Sequence, residues 1–179
     1  MPPSDNGLLQ IRAGLIVIIC LAFALIALLL VMTWLFSGDL QKQTVWAAAG
    51  FMVVLFTVGS LAYLTYWQLA SWLLIIILVL IAAADTYVFT VASPLSILYV
   101  VPILIAAFNL GLWASIFIAS MAVAFIWLSA LGELTECYNP QIPKARSHLT
   151  FNAPVLTVML FTVALMSGLW SQSVVTLLS

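Results

Sequence analysis

The chain has 179 residues, 66% hydrophobic and 5% charged, with four Lys+Arg against five Asp+Glu and a net charge of −1. A soluble domain carries roughly a quarter charged residues, so the composition excludes a soluble globular fold and points to a polytopic all-α membrane protein. Four cations form no basic surface for nucleic acid, and two cysteines, Cys20 and Cys137, form no disulfide framework.

Residues 1–10 read as a short polar leader containing Pro2, Pro3 and Asp5. The apolar run that follows is too long for a signal-peptide core and has no small-residue cleavage site after it, so it is expected to be retained as the first span. Six spans are expected in one transmembrane domain, at about 11–36, 45–67, 70–89, 93–109, 113–131 and 152–175. Span one is almost featureless from Leu15 to Met32, with Cys20 its only mildly polar side chain there. Span two carries Gly50, Gly59, Ser60 and Ala62, small residues that let a neighbouring helix come close. Span three follows through a tight uncharged connection near Gln68 and ends Ala82-Ala83-Ala84-Asp85.

Span four has the most internal grammar. Ser93 can cap it, Pro94 suits its first turn, and Pro102 falls mid-helix, where a kink toward the bundle interior is expected. Gly111 ends the segment. Span five holds the small-residue pairs Ser115/Ala119 and Ser120/Ala124. Residues 132–151 form the one long loop, with Glu133, Glu136, Cys137, Pro140, Pro143, Lys144, Arg146 and His148. Asn152 can cap span six, and Pro154 fits its first turn.

Six spans put both termini on one side of the membrane. Trp34 and Trp46 flank the first connection, Trp67 and Trp72 the second, and Trp113 and Trp170 return to that second face, as an aromatic belt would. Lys42, Lys144 and Arg146 lie on the long-loop face against Arg12 on the terminal face, and this count puts the long loop inside the cell.

From Asp85 onward the order Asp85, Ser96-Ile97-Leu98-Tyr99-Val100-Val101-Pro102-Ile103, Ala106-Ala107-Phe108-Asn109-Leu110-Gly111 is followed by a small-residue span to Trp127. Asn139-Pro140, Pro143 and Asn152 then follow. This half of the chain resembles the multi-span, MASE-like sensory input domains of bacterial histidine kinases and diguanylate cyclases. The resemblance implies a helical membrane input fold with both termini in the cytoplasm, opposite to the charge count. Such domains feed a cytoplasmic output domain.

Three residues are candidates for ligand or lipid contact: Asp85, Tyr99 and His148. Asp85 is the one acid near a hydrophobic span, where a carboxylate is costly and marks a functional site by default. Its bland reading is an interfacial position near Tyr87 and, across the loop, Arg146 or Lys144. His148 could ligate a chlorophyll-type magnesium or one face of a haem, against a solvated or headgroup-facing position. Glu133 and Glu136 read as a solvated helix end rather than a metal site. Pro94, Pro102, Gly111, Asn152 and Pro154 are structural candidates. There is no HExxH, phosphate loop or nucleophile elbow, and the hydroxyls in the spans, Thr57, Ser60, Ser120 and Thr157, read as glue between helices.

The expected function is therefore non-enzymatic. It is that of an accessory or assembly subunit of a larger complex in the cell membrane, in contact with lipid or pigment and with other membrane subunits. The cofactor stays unnamed. A sensory input domain is the alternative, and a small-molecule channel or carrier is a third, which uptake into liposomes would test.

Overall fold

A computed structural model of the chain describes residues 3–37, 42–64, 66–89, 94–135 and 152–178. Among these residues the protein is entirely helical. The helices are α1 (Pro3–Ser37), α2 (Lys42–Tyr63), α3 (Trp67–Phe89), a 3-10 segment (Pro94–Tyr99), α4 (Val100–Asn109), α5 (Leu112–Leu134) and α6 (Ala153–Leu178). The chain divides into two compact units, Met1–Leu74 and Ile75–Ser179, with the division inside α3.

Four helices contain stretches long and apolar enough to cross a membrane: Gln10–Leu29, Trp67–Tyr87, Leu112–Glu133 and Ala153–Thr176. The apolar parts of α2 and of the 3-10/α4 segment, Ala48–Tyr63 and Ser96–Asn109, are shorter.

In the first unit α1 packs along α2. Ile16, Cys20 and Ala27 of α1 and Leu55, Val58 and Ala62 of α2 are buried. Gly59 faces Cys20 across this contact, where a Cβ would sit at an ordinary van der Waals distance of 3.9 Å from the Cys20 Cβ. Cys20 is a free thiol. α1 begins at Pro3, so the polar leader expected at 1–10 is mostly helix. Proline at a first helical position and an acid, Asp5, in the first turn both favour a start there. The 35 residues of α1 run about 52 Å, against a hydrocarbon core of about 30 Å, so its ends extend past the apolar window.

The break between α2 and α3 lies at residues 64–66, earlier than the position near Gln68 expected from sequence. Leu64 N–H donates to Ser60 O (3.0 Å) and Tyr66 N–H to Leu61 O (3.1 Å), closing α2. Ala70 N–H donates to Tyr66 O (3.0 Å), opening α3. Trp67 thus begins α3 instead of ending α2. A single stripe of α3 is buried: Ala70, Ser71 and Leu74 in the first unit, and Ile75, Leu78, Val79, Ala82 and Thr86 in the second.

In the second unit α4, α5 and α6 pack on one another pairwise. α4 and α5 are joined by Leu110 and Gly111 alone. Both N–H groups donate to Ala106 O, at 2.8 and 2.9 Å, and Gly111 has φ +98°. That left-handed conformation admits glycine without strain, which is why Gly111 ends α4 as the sequence suggested.

The buried faces of α5 and α6 are rich in small residues, beside Ile118, Ile126 and Leu160. Ala119, Ala122 and Ala130 of α5 and Ala153, Ala164 and Gly168 of α6 are buried. Ser115 Oγ donates to Leu112 O (2.7 Å) and reaches Ala164 O across the interface (3.1 Å). Ser115/Ala119 is therefore a packing pair, whereas Ser120 and Ala124 are exposed. Trp127 Nε1–H donates to Thr157 Oγ1 (3.0 Å), and Thr157 in turn donates to Ala153 O (2.8 Å). The other hydroxyls expected to glue helices, Thr57, Ser60 and Ser120, donate to carbonyls four residues back in their own helices. Local back-bonding satisfies a hydroxyl without a neighbouring helix.

Pro102 is buried and is the third residue of α4, not a mid-helix residue, because residues 94–99 wind as 3-10. A first-turn N–H has no α-helical partner in any case, so proline is tolerated there. Asn152 immediately precedes α6, and Pro154 is its second residue, as expected for a helix start. Pro94 opens the 3-10 segment.

Candidate functional site

The second unit brings together two of the three candidate contact residues. Tyr99, the last residue of the 3-10 segment, is completely buried, as is Thr86 on α3. The Thr86 hydroxyl and the Tyr99 phenol lie 3.3 Å apart, and Thr86 also donates to Ala82 O at 2.8 Å. Asp85 adjoins Thr86 on α3. Its Oδ2 is buried and accepts no hydrogen bond. Ser96, 3% exposed, lies one turn before Tyr99.

Asp85 lies two residues from the Tyr87 end of the apolar stretch of α3, and its Oδ2 is buried although Tyr87 is exposed. Two helical positions turn a side chain by about 200°, and Tyr87 is exposed while Thr86 and Tyr99 are buried. Lys144, Arg146 and His148, together with Glu136 and Cys137, lie outside the described residues. Glu133, expected on a solvated helix end, is 6% exposed near the end of α5. Among the described residues no group of three or more His, Cys, Asp or Glu could hold a metal ion.

The chemistry of the cluster is limited and definite. Thr86 gives its proton to the backbone in the shorter of its two contacts, so it is a poor nucleophile. Tyr99 offers a buried hydroxyl, and Asp85 an acceptor with spare capacity. An orphaned buried acceptor costs about 1–3 kcal/mol. The arrangement suits holding a polar group or a helix setting. Sequence alone pointed to Asp85 and Tyr99 but could not join them through Thr86, because thirteen residues and a change of winding separate the two hydroxyls.

A second polar feature, in the first unit, escaped the sequence reading. The Arg12 guanidinium lies over the Trp67 ring, 5.2 Å from its centroid. The available signal was the belt: Arg12 and Trp67 were both expected on the terminal face. In the second unit Phe108 meets Trp170 edge-to-face, with centroids 5.8 Å apart and planes at 87°.

No family model, no curated protein and no solved structure matches the chain. Four helices long and apolar enough to cross a membrane make it a membrane protein.

Proposed function

We propose that the chain is a non-enzymatic subunit of a larger assembly in the cell membrane. In this reading α1–α6 form a bundle of six transmembrane helices, with the fourth span bent toward the interior where its 3-10 turn meets α4 next to Pro102, and both termini on one side. The supporting observation is the uncovered flank of α1. Ile18, Leu21, Leu25, Ile26 and Leu29 are all more than half exposed, and 11% of the apolar window is buried. Apolarity alone does not drive helices together in lipid. A smooth aliphatic flank therefore suits acyl chains or the equally smooth spans of neighbouring subunits, while Gly168 and the alanines of α5 and α6 hold the chain's own helices together.

The second reading is a membrane sensory input domain of the MASE-like class. The contact of Thr86, the residue after Asp85, with Tyr99 favours it, because Asp85 and Tyr99 both belong to the residues that carry that resemblance. One experiment separates the two. After extraction from native membranes in mild detergent, the subunit reading expects co-migration with larger proteins through contacts between spans. A monodisperse single chain, reached without loss of a partner, would sink that reading and raise the sensory one.

A further inference from the structure

We propose that Arg12, Trp67 and the groove between α1 and α2 form a binding site for one anionic phospholipid, with its phosphate on Arg12 and an acyl chain in the groove. The inference rests on the membrane setting and not on the subunit role.

The headgroup half starts from Arg12. An arginine near a hydrocarbon core needs a partner for its charge and its five N–H donors. Among the described residues Arg12 has the face of Trp67 and no hydrogen bond or ion pair. The ring face takes none of the guanidinium N–H groups, which stay available to a phosphate that can accept two of them in parallel. Depth agrees with this. Arg12 stands two residues inside the apolar window that begins at Gln10, and Trp67 is the first residue of the apolar stretch of α3. Both therefore sit at the level where tryptophan marks the membrane interface and lipid phosphates lie.

The acyl half is a groove of about 750 Å³ in the same unit, lined by Cys20, Leu21, Ala24, Phe56, Gly59 and Tyr63 among others. Gly59 and Ala24 keep it open. The Thr57 and Ser60 hydroxyls in its wall are committed to Val53 O and Phe56 O, and the other polar groups are the Cys20 thiol and the Tyr63 phenol at the Leu64 end, so the groove presents mainly hydrocarbon. It runs along α2 from Leu64 to Met52, about 18 Å of helix. Its Leu64 end is three residues from Trp67, a reach of at most about 11 Å. A headgroup on Arg12 and a chain in the groove thus belong to one molecule. A second protein helix would fill the groove but leave the cation without an anion. Charge complementarity therefore selects the lipid.

The test uses the purified chain in mild detergent. Lipid binding is read by native mass spectrometry and by the shift in thermal unfolding. Phosphatidylglycerol, diacylglycerol with the same acyl chains, and soluble glycerol phosphate are titrated separately. A charge-assisted hydrogen bond corresponds to about tenfold or more in affinity. The expected result is phosphatidylglycerol binding about tenfold tighter than diacylglycerol, which lacks the phosphate, with no stabilisation by glycerol phosphate. Arg12→Gln should abolish the preference, and Arg12→Lys should keep part of it, because a point charge cannot make the bidentate fork. Ala24→Phe, which fills the groove, should weaken both lipids while leaving their ratio unchanged. Equal binding of the two lipids, a preference that survives Arg12→Gln, or stabilisation by glycerol phosphate equal to that by the whole lipid would each overturn the proposal. Because co-migration with larger subunits is measured separately, failure here leaves the subunit reading standing.

Discussion

Replacing Gly168 by alanine tests what holds α5 against α6. A Cβ at this position would lie 2.5 Å from Leu112 Cδ1, 3.0 Å from Leu112 Cα and 3.1 Å from Ser115 Oγ. The Leu112 methyl can swing aside, but the Cα cannot. Restoring ordinary carbon–carbon contact needs the helices to part by about 0.5–1 Å. The Ser115 Oγ–Ala164 O contact, now 3.1 Å, would then stretch past a useful hydrogen bond. Its loss is worth about 0.6 kcal/mol in a membrane, with no group orphaned, since Ser115 keeps its bond to Leu112 O. Overpacking adds about 1–3 kcal/mol, and the better helix propensity of alanine offsets up to about 1 kcal/mol. The net expectation is destabilisation by about 1–2 kcal/mol, read from reversible unfolding in mixed micelles. Gly50→Ala is the control, because nothing lies within 4 Å of a Cβ there. It should be neutral, or stabilising by up to about 1 kcal/mol. If Gly168→Ala is as stable as Gly50→Ala, the close crossing of α5 and α6 is wrong.

Other substitutions test the polar contacts by the same unfolding assay. Tyr99→Phe should lose no more than about 1 kcal/mol, because Thr86 keeps its bond to Ala82 O, whereas Tyr99→Ala should lose about 3–5 kcal/mol by opening a cavity at a fully buried position; equal losses would place Tyr99 outside the core. Asp85→Asn should leave stability unchanged or raise it by up to about 2 kcal/mol, since it removes a charge whose Oδ2 is buried without a donor. Loss of the folded protein would show that a cation pairs with the carboxylate. Trp127→Phe should lose about 0.6–1.7 kcal/mol with the bond to Thr157; no change would mean that this link between α5 and α6 does not form.

The elements of this chain are legible because apolar stretches in lipid have one way to satisfy their backbones. Gly111 and Pro154 were readable because the backbone demands particular residues at helix ends. The α2–α3 break was misplaced because Leu64-Thr65-Tyr66 contains no glycine, proline or charge to mark a turn. Residues 94–99 were read as α-helix because no residue type in Pro-Leu-Ser-Ile-Leu-Tyr distinguishes 3-10 from α winding. The candidate site was half legible. Asp85 and Tyr99 stand out by type, but helices apolar on all sides carry no polar stripe to set their rotation. The sequence could not tell that Thr86 faces Tyr99, that Tyr87 faces outward, or that Arg12 would find Trp67. Those settings follow from packing among near-equivalent aliphatic faces.

The claim on which the rest stands is that all six helices cross the membrane, including the two whose apolar parts are short, Ala48–Tyr63 and Ser96–Asn109. Single reporters of sidedness placed at positions 39, 66, 92, 111 and 140 of the chain in native membranes test it directly. Six crossings predict positions 66 and 111 on the face of the termini and positions 39, 92 and 140 on the other. Positions 39 and 66 found on the same face, or 92 and 111 on the same face, would show that α2 or α4 does not span and would contradict the six-helix bundle.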